Sequence, residues 1–463
     1  MSTKQKNILT SPVRAGDSID LPIHGLGHRG EGVGRYEGMV VFVPGAVPGD
    51  HVRAQVVEVK RGYARAVLES VLLPSADRVT PRCPVFEQCG GCQLQHIAYE
   101  KQLELKQQQV VDALTRIGGV ANVVVHPTIG MHTPWEYRNK AQFPIGHQSG
   151  RVVAGFFAPR SHHIVDIESC DIQHPLGNQL MREVKALAAE YGVPIYDEHT
   201  HSGVLRHVIA RVGRGTGEVL AVLVTKDEAF PHGREIAQKL MERMPELVGV
   251  VQNINPERTN VVLGRKSKVL AGAGYVMDYL GPFAFKISPV SFFQVNPEQT
   301  ETLYGKVVEY AALSGTETVF DLYCGIGSIT LFLAREASQV IGIEWVAEAI
   351  ADAEENAALN GIDNARFIAG DAAVEMPRLA REGVHADVIV VDPPRKGCEE
   401  TVLSAMAAVG PRRIVYVSCN PASLARDLSR LHQLGYETIE VQPVDMFPHT
   451  AHVECCALLT RRG

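Results

Sequence analysis

Residues 12–70 alternate apolar and polar positions, and glycines break the alternation at short intervals. Met39–Val43 and His51–Val59 read as strands with turn residues between them. About five short strands in a segment of this length predict a small closed β-barrel of the kind that often binds oligonucleotides, and a barrel without a ligand has the same pattern. Further along, Gln102 to Leu114 is rich in helix formers with mixed apolar spacing, which predicts a helix. Residues 126–290 read as more strands with one or two helices, Arg206–Val212 and Glu218–Val224 being expected neighbours. From residue 291 the rhythm becomes strand, turn, helix. Strands are expected near 318–323, 339–344, 365–369, 386–391 and 413–418, with a last pair near 436–443 and 452–459. Helices between the first five predict a parallel, doubly wound sheet.

The pattern divides the chain into a β-barrel (12–70), a central mixed α+β domain (71–290) and a C-terminal α/β domain of Rossmann-like type (291–463). A length of 463 residues agrees with two or three domains. The hydrophobic fraction of 45% and charged fraction of 21% are those of a soluble globular protein. No apolar run approaches the ~18 residues of a membrane helix, and residues 1–11 lack the apolar core of a signal peptide. A cytoplasmic protein is expected. Nine cysteines are too few for a disulfide scaffold in a chain this long, which leaves metal binding or catalysis as their uses.

The net charge of -7 argues against a nucleic-acid partner until it is divided along the chain. Residues 1–160 carry 18 Lys+Arg against 13 Asp+Glu, residues 161–290 carry 14 against 15, and residues 291–463 carry 13 against 24. A basic front could meet phosphates while an acidic rear does chemistry, although such asymmetry is also ordinary scatter.

Chemistry concentrates in the acidic rear. Asp321-Leu-Tyr-Cys-Gly325-Ile-Gly327 follows a strand and precedes a helix expected over Ser328–Glu336. Its glycines let a ligand approach the backbone, and a helix N-terminus adds donors. Glu344 ends the next strand, where an acid can hold two ribose hydroxyls. Asp371 ends the third and could contact adenine. A short Gly-x-Gly turn with acidic strand ends favours S-adenosylmethionine over a dinucleotide, because no pyrophosphate has to be held. Asp392, in Val391-Asp-Pro-Pro-Arg395, is a carboxylate stiffened by two prolines at the end of the fourth strand. Cys419 ends the fifth, in Ser418-Cys-Asn-Pro421, a poor place for a packing cysteine. A thiolate there could add to carbon 6 of a uracil and make carbon 5 nucleophilic enough to take a sulfonium methyl. Glu454, in the apolar stretch His452–Leu459, would hold protons tightly and suits removal of the carbon 5 proton. Cys455 and Cys456 read as core.

A separate cluster is Cys83-x5-Cys89-Gly-Gly-Cys92, with Cys170 further on. Three thiols so close point to a metal site, zinc and an iron–sulfur cluster being open on spacing alone.

Together, Asp392-Pro-Pro-Arg-Lys-Gly, Ser-Cys419-Asn-Pro and His-x-Glu454-Cys resemble the RNA uracil-5-methyltransferase family, and the resemblance covers nearly the whole chain. It implies a TRAM barrel over residues 12–70, Cys419 as nucleophile and Glu454 as base. It further implies a S-adenosylmethionine pocket of Gln294, Tyr323, Ser328, Glu344, Asp371 and Asp392. Tyr323 stands where Phe is common, and Ser328 where Asn is common. The four cysteines 83, 89, 92 and 170 are similar in spacing to the [4Fe-4S] site of the ribosomal RNA members; transfer-RNA members typically lack both barrel and cluster, which tilts the expected substrate to 23S ribosomal RNA, and the resemblance also implies a monomer, with no membrane partner expected. The uridine must leave its stack to react, and Phe292 or Phe293 could stack on it or fill its gap, at least one of them being core. Alternatives from the same residues are the T-loop of transfer RNA, a non-catalytic RNA-binding or ribosome-assembly protein, and a redox enzyme built on the cluster, for which no flavin or nicotinamide fingerprint is present.

Overall fold

The structure, a computed structural model, describes residues 11–120 and 123–463. Residues 1–10, where no signal-peptide core is expected, lie outside the described residues together with 121 and 122. The chain forms two compact units. One comprises the residues up to Glu87 with Gly91–Gln109 and His449–Ala451; the other comprises Gln88–Gly90, Val110–Pro448 and His452–Gly463.

The first unit holds a closed barrel of β1 (Ser18–Leu26), β2 (Gly32–Tyr36), β3 (Met39–Val43), β4 (His51–Lys60) and β5 (Tyr63–Leu73), in the order β1-β2-β3-β5-β4. Strict alternation explains it. Ile19, Leu21 and Ile23 of β1 face inward and meet Val41, Val43, Val52, Ala54, Val56 and Ala64 in one apolar core. The strands pass close enough that a Cβ on Gly34 would come within 2.7 Å of the Pro22 carbonyl oxygen, so only glycine fits there.

The helix expected from Gln102 begins earlier, as α1 (Tyr99–Ala113), and runs into a wider π-type turn, Leu114–Gly118. At that turn the backbone approaches a later helix so closely that a Cβ on Gly118 would lie 2.8 Å from the Ala425 carbonyl oxygen.

In the second unit come β6 (Val124–Val125), β7 (Lys140–Gln148), β8 (Arg151–Phe157), β9 (Ile164–Asp166), α2 (Pro175–Glu190), β10 (Leu205–Val212), β11 (Val219–Thr225), α3 (Gly233–Arg243), β12 (Leu247–Ile254), β13 (Lys266–Gly272) and a hairpin of β14 (Val276–Leu280) with β15 (Phe283–Ile287). A seven-stranded sheet runs β13-β12-β11-β10-β7-β8-β9. The expected neighbours β10 and β11 pair antiparallel, and every residue of both is buried.

The strand-turn-helix rhythm continues as α4 (Pro297–Ala311), β16 (Thr318–Leu322), α5 (Ser328–Ala334), β17 (Gln339–Glu344), α6 (Ala347–Leu359), β18 (Ala365–Ala369), α7 (Ala372–Arg381), β19 (Val388–Val391), α8 (Glu400–Val409), β20 (Arg413–Ser418), α9 (Pro421–Gln433), β21 (Tyr436–Val444) and β22 (Glu454–Arg461). The eight-stranded sheet is ordered β18-β17-β16-β19-β20-β22-β21-β6, with β16 to β20 parallel. Its direction of winding reverses between β16 and β19, which leaves a crevice at the carboxyl ends of those strands. Among the described residues no helix is long and apolar enough to cross a membrane.

Candidate active site

The two turns after β16 and β17 form one wall of the crevice. Gly325 and Gly327 both have positive φ (54° and 83°), which glycine adopts without strain. A Cβ on Gly325 would meet nothing within 4 Å, so the backbone there faces open space. Glu344 crosses to this turn: one carboxylate oxygen accepts from Gly325 N at 3.3 Å and the other from Val346 N at 2.9 Å. Asp371 caps α7 by accepting from Ala373 N at 2.8 Å and stays exposed. Tyr323 is half-buried beside Asp371 and Cys398, and burial raises its phenol. Ser328 shares a hydrogen bond of 3.0 Å with the buried Tyr304 hydroxyl, which lies within the influence of Asp392, Asp321 and Glu454. Gln294 is buried, and its carbonyl oxygen accepts from Asn139 Nδ2 at 3.0 Å.

Asp321, in β16, leads into the glycine turn, and the motif alone gives it no role. It is completely buried; Oδ2 accepts from Thr330 Oγ1 at 2.5 Å, and Oδ1 has no hydrogen-bond partner. Burial pushes its carboxyl up to about 7. A wholly buried carboxylate with a free oxygen is costly unless a cation or donor arrives to meet it. Beside Glu344, the indole of Trp345 is 73% exposed, a large apolar surface at the crevice that the strand pattern alone did not mark.

The second wall brings Cys419, Asp392 and Glu454 together. β22 pairs antiparallel with β20, Ser418 opposite Cys455, so the start of β22 lies at the carboxyl end of β20. Glu454 is therefore the first residue of its strand; His452 and Val453 precede the strand instead of opening it. Cys419 sits between the last residue of β20 and the cap of α9. Asn420 accepts from Ala422 N at 3.1 Å, and Pro421 occupies the first helical turn, where its missing N–H costs nothing. The same Asn420 donates through Nδ2 to the Arg395 carbonyl at 3.0 Å, and Ser423 Oγ donates to that oxygen at 3.1 Å. The Asp392-Pro-Pro-Arg395 loop is thereby tied to the Cys419 turn. Its far end is fixed by Gly397, whose φ of 77° and closeness to Asp427 exclude a side chain.

Glu454 is 2% exposed, and burial, with Asp392 next, holds its carboxyl well above the usual range. Burial likewise raises Asp392. The Cys419 thiol is pushed up to about 11 by burial first, then by Glu454 and Asp392, while the charge of Arg395 and a hydrogen bond from it draw it down. Arg395 is the residue missed at the sequence level; its Nη2 lies 3.2 Å from His452 Nε2. The signal was available, since a guanidinium after two prolines has a fixed origin, but what it faces depends on β20. Phe293 is 5% exposed and packs on Phe285, whereas Phe292 is 68% exposed. Cys455 and Cys456 are fully buried.

These pKa directions give an expected result. Thiolate is the reactive form, so carboxamidomethylation of Cys419 in the free protein accelerates with pH about tenfold per unit from pH 7 towards 10. Arg395→Gln removes the group that lowers the thiol and slows the reaction at pH 8–9. Peptide mass spectrometry across pH reads both; a plateau below pH 9 contradicts the assignment.

The cluster cysteines 83, 89, 92 and 170 are each partly buried. Cys83 N donates to Gln95 Oε1 at 3.0 Å, and Cys170 N to Asn178 Oδ1 at 2.9 Å. Among the described residues no group of three or more His, Cys, Asp or Glu side chains forms a metal-holding set.

The fold and the crevice define a class, and the chain belongs to the tRNA (uracil-5-)-methyltransferase family. The model of that family matches residues 234–462, and the TRAM domain matches residues 12–68. An uncharacterized RNA methyltransferase of Halalkalibacterium halodurans is 52% identical over 97% of this chain and 98% of its own length. Another, from Clostridium tetani, is 49% identical over 98% of each. Among solved structures, the Pyrococcus abyssi tRNA (uracil-54, C5)-methyltransferase in complex with S-adenosyl-L-homocysteine superposes with a TM-score of 0.75 at 28% identity, covering 96% of this chain and 100% of that one. The closed barrel, the parallel sheet and the family assignment expected from sequence are all present.

Proposed function

We propose that this chain methylates carbon 5 of a uridine in 23S ribosomal RNA, with S-adenosylmethionine as methyl donor and Cys419 as a transient covalent nucleophile. The single observation that carries the reading is the convergence of Cys419, Asp392, Arg395 and the buried Glu454 at one end of the sheet. The donor supplies an electrophilic methyl group on a sulfonium cation. Its positive charges suit the acidic crevice: Asp321 has an unpartnered buried oxygen, and Glu344, Asp371, Asp392 and Gln294 complete the expected lining with Tyr323 and Ser328.

The protein's own groups then divide the work. Cys419 gives up its thiol proton to water, Sγ adds as the thiolate to carbon 6 of the uracil, and the electron pair of the 5,6 double bond moves to an enolate. Carbon 5 takes the methyl group. Glu454 accepts the carbon 5 proton, the double bond re-forms, and the carbon–sulfur electrons return to Sγ. Asp392 is placed to accept from a base N–H, and the exposed Phe292 to stack on the displaced base or fill its place.

The spacing of Cys83, Cys89, Cys92 and Cys170 along the chain, and not an assembled ligand set among the described residues, supports an iron–sulfur cluster held by these thiols and ordering the residues around it. A second reading has a specific observation behind it. The archaeal transfer-RNA enzyme matches this chain over its whole length, so overall architecture does not separate the two substrates.

The test uses RNA lacking 5-methyluridine, with ribosomal and transfer fractions kept apart and nucleosides read by mass spectrometry. New 5-methyluridine in the 23S fraction is the expected result; product in transfer RNA alone replaces the first substrate with the second. The same protein, purified anaerobically, is expected to contain iron and sulfide, and stoichiometric zinc in a colourless sample overturns the cluster.

A further inference from the structure

Away from the crevice, the seven-stranded sheet carries a cavity that the reaction does not use. Phe156 and Phe157 of β8, Gln142 of β7 and His207 of β10 line a space of about 340 Å³, a size suited to a small planar ligand. A neighbouring space of about 210 Å³ is lined by His199, His201 and Arg258 with Tyr196. The two adjoin, since His162, Glu198, Arg206, Thr259 and Asn260 line both.

Their chemistry differs. In the larger space the Phe157 ring stacks with His162 at 29° and 5.3 Å between centroids, and His162 is paired with Glu198. His207 is buried, and burial lowers its imidazole to about 4, so the ring is neutral at pH 7. Its Nδ1 has no hydrogen-bond partner. Aromatic faces with a neutral imidazole and an amide fit the face and polar edge of a nucleobase. The smaller space is cationic. Arg206 is fixed over the Tyr196 ring at 4.5 Å and held by the carbonyls of Asn255 and Glu257, while its buried Nε has no partner. With Arg258, it sets two guanidinium groups against the single carboxylate of Glu198 and suits a phosphate.

We infer that this paired cavity binds one unpaired nucleotide of the RNA substrate, distinct from the uridine that is methylated, with its base in the larger space and its phosphate in the smaller. The inference rests on the RNA-methylation reading for its ligand and on the cavity alone for its site. An RNA held here as well as at Cys419 is fixed at two points, which sets which uridine reaches the thiol.

The test is calorimetric titration of the full-length protein with AMP, GMP, CMP and UMP in turn, S-adenosylhomocysteine being saturating so that the donor's part of the crevice is filled. Two variants accompany it: Arg258→Ser with Asn260→Ala, both on an exposed loop, and Gln142→Leu at the base end. At least one monophosphate binds the unaltered protein, each variant weakens it about tenfold with Tm unchanged, and the KM for RNA rises by a similar factor. No binding, or binding equal in the variants, overturns the inference. Inorganic phosphate competing as well as the nucleotide overturns it in favour of a simple anion site, and displacement by a hexaglutamate peptide in favour of an acidic protein partner. Nucleotide binding lost in the variants, in a protein that methylates no RNA, upholds this site and defeats the methylation reading instead.

Discussion

A Cys419→Ala chain makes no detectable 5-methyluridine: the rate falls by at least about four orders of magnitude, as for removal of a nucleophile from other covalent enzymes. Carbon 5 of uracil is a weak nucleophile, and only electron density delivered from carbon 6 lets it take a methyl group. Alanine has nothing to deliver. Because Cys419 is only partly buried, in a turn held by Asn420 and Pro421, its loss should leave the fold intact. Cofactor affinity, resting on the residues after β16 and β17, should change less than about twofold, within the scatter expected of a substitution away from that turn. Measured side by side, product yield collapses and S-adenosylhomocysteine binding persists. Full product from this variant removes the covalent mechanism. Loss of both activity and cofactor binding shows that the substitution damaged the crevice and leaves the role of the sulfur to the conservative Cys419→Ser variant, which is expected to be equally inactive because an unactivated hydroxyl is a far poorer nucleophile.

Much of this site was legible in the chain because parallel strands buried on both faces are near-continuous apolar runs. Val388–Val391 and Ile414–Val417 are wholly buried, and the residues ending those runs, Asp392 and Cys419, must emerge at the same edge. Glu454 is different. Its nearness to Cys419 depends on β22 entering the sheet antiparallel beside β20, and nothing local in His452–Leu459 specifies a neighbour or a direction. Arg395 was hidden for a related reason. Its carbonyl is held by Asn420 and Ser423, 25 and 28 residues away. In the sequence Asp321 is one residue of a glycine turn, whereas its chemistry comes from total burial and one unpartnered oxygen, which only packing creates. Element ends drifted where capping competes with pattern. The helix expected over Ser328–Glu336 stops at Ala334, and the strand expected from Glu218 begins at Val219, Glu218 instead accepting from Met277 N at 2.9 Å.

Glu454→Gln should have the opposite signature to the alanine variant at Cys419: the reaction starts and does not finish. Addition of Sγ as the thiolate, its proton lost to water, and methyl transfer do not require Glu454, so the RNA becomes bound to the protein through carbon 6 and methylated at carbon 5. Elimination then requires the carbon 5 proton to leave, and an amide does not accept it. Charge in the crevice fits this order. With a cationic donor bound, Asp392 and Glu454 are favoured as carboxylates. Once the methyl group has moved and the positive charge of the sulfonium is gone, burial and the proximity of Asp392 raise the proton affinity of Glu454 at the step that uses it. Glutamine keeps the shape and removes both the charge and the repulsion, so the variant should fold at least as stably as its parent. Incubated with methyl donor and RNA, it should give a protein–RNA band that survives denaturant and carries the transferred methyl group, while free 5-methyluridine falls by about two to four orders of magnitude. The band should vanish when Cys419 is also replaced. Normal turnover by Glu454→Gln assigns the proton to another group, Asp392 being the next carboxyl in reach; loss of product without an adduct places Glu454 before the covalent step and overturns its role as base.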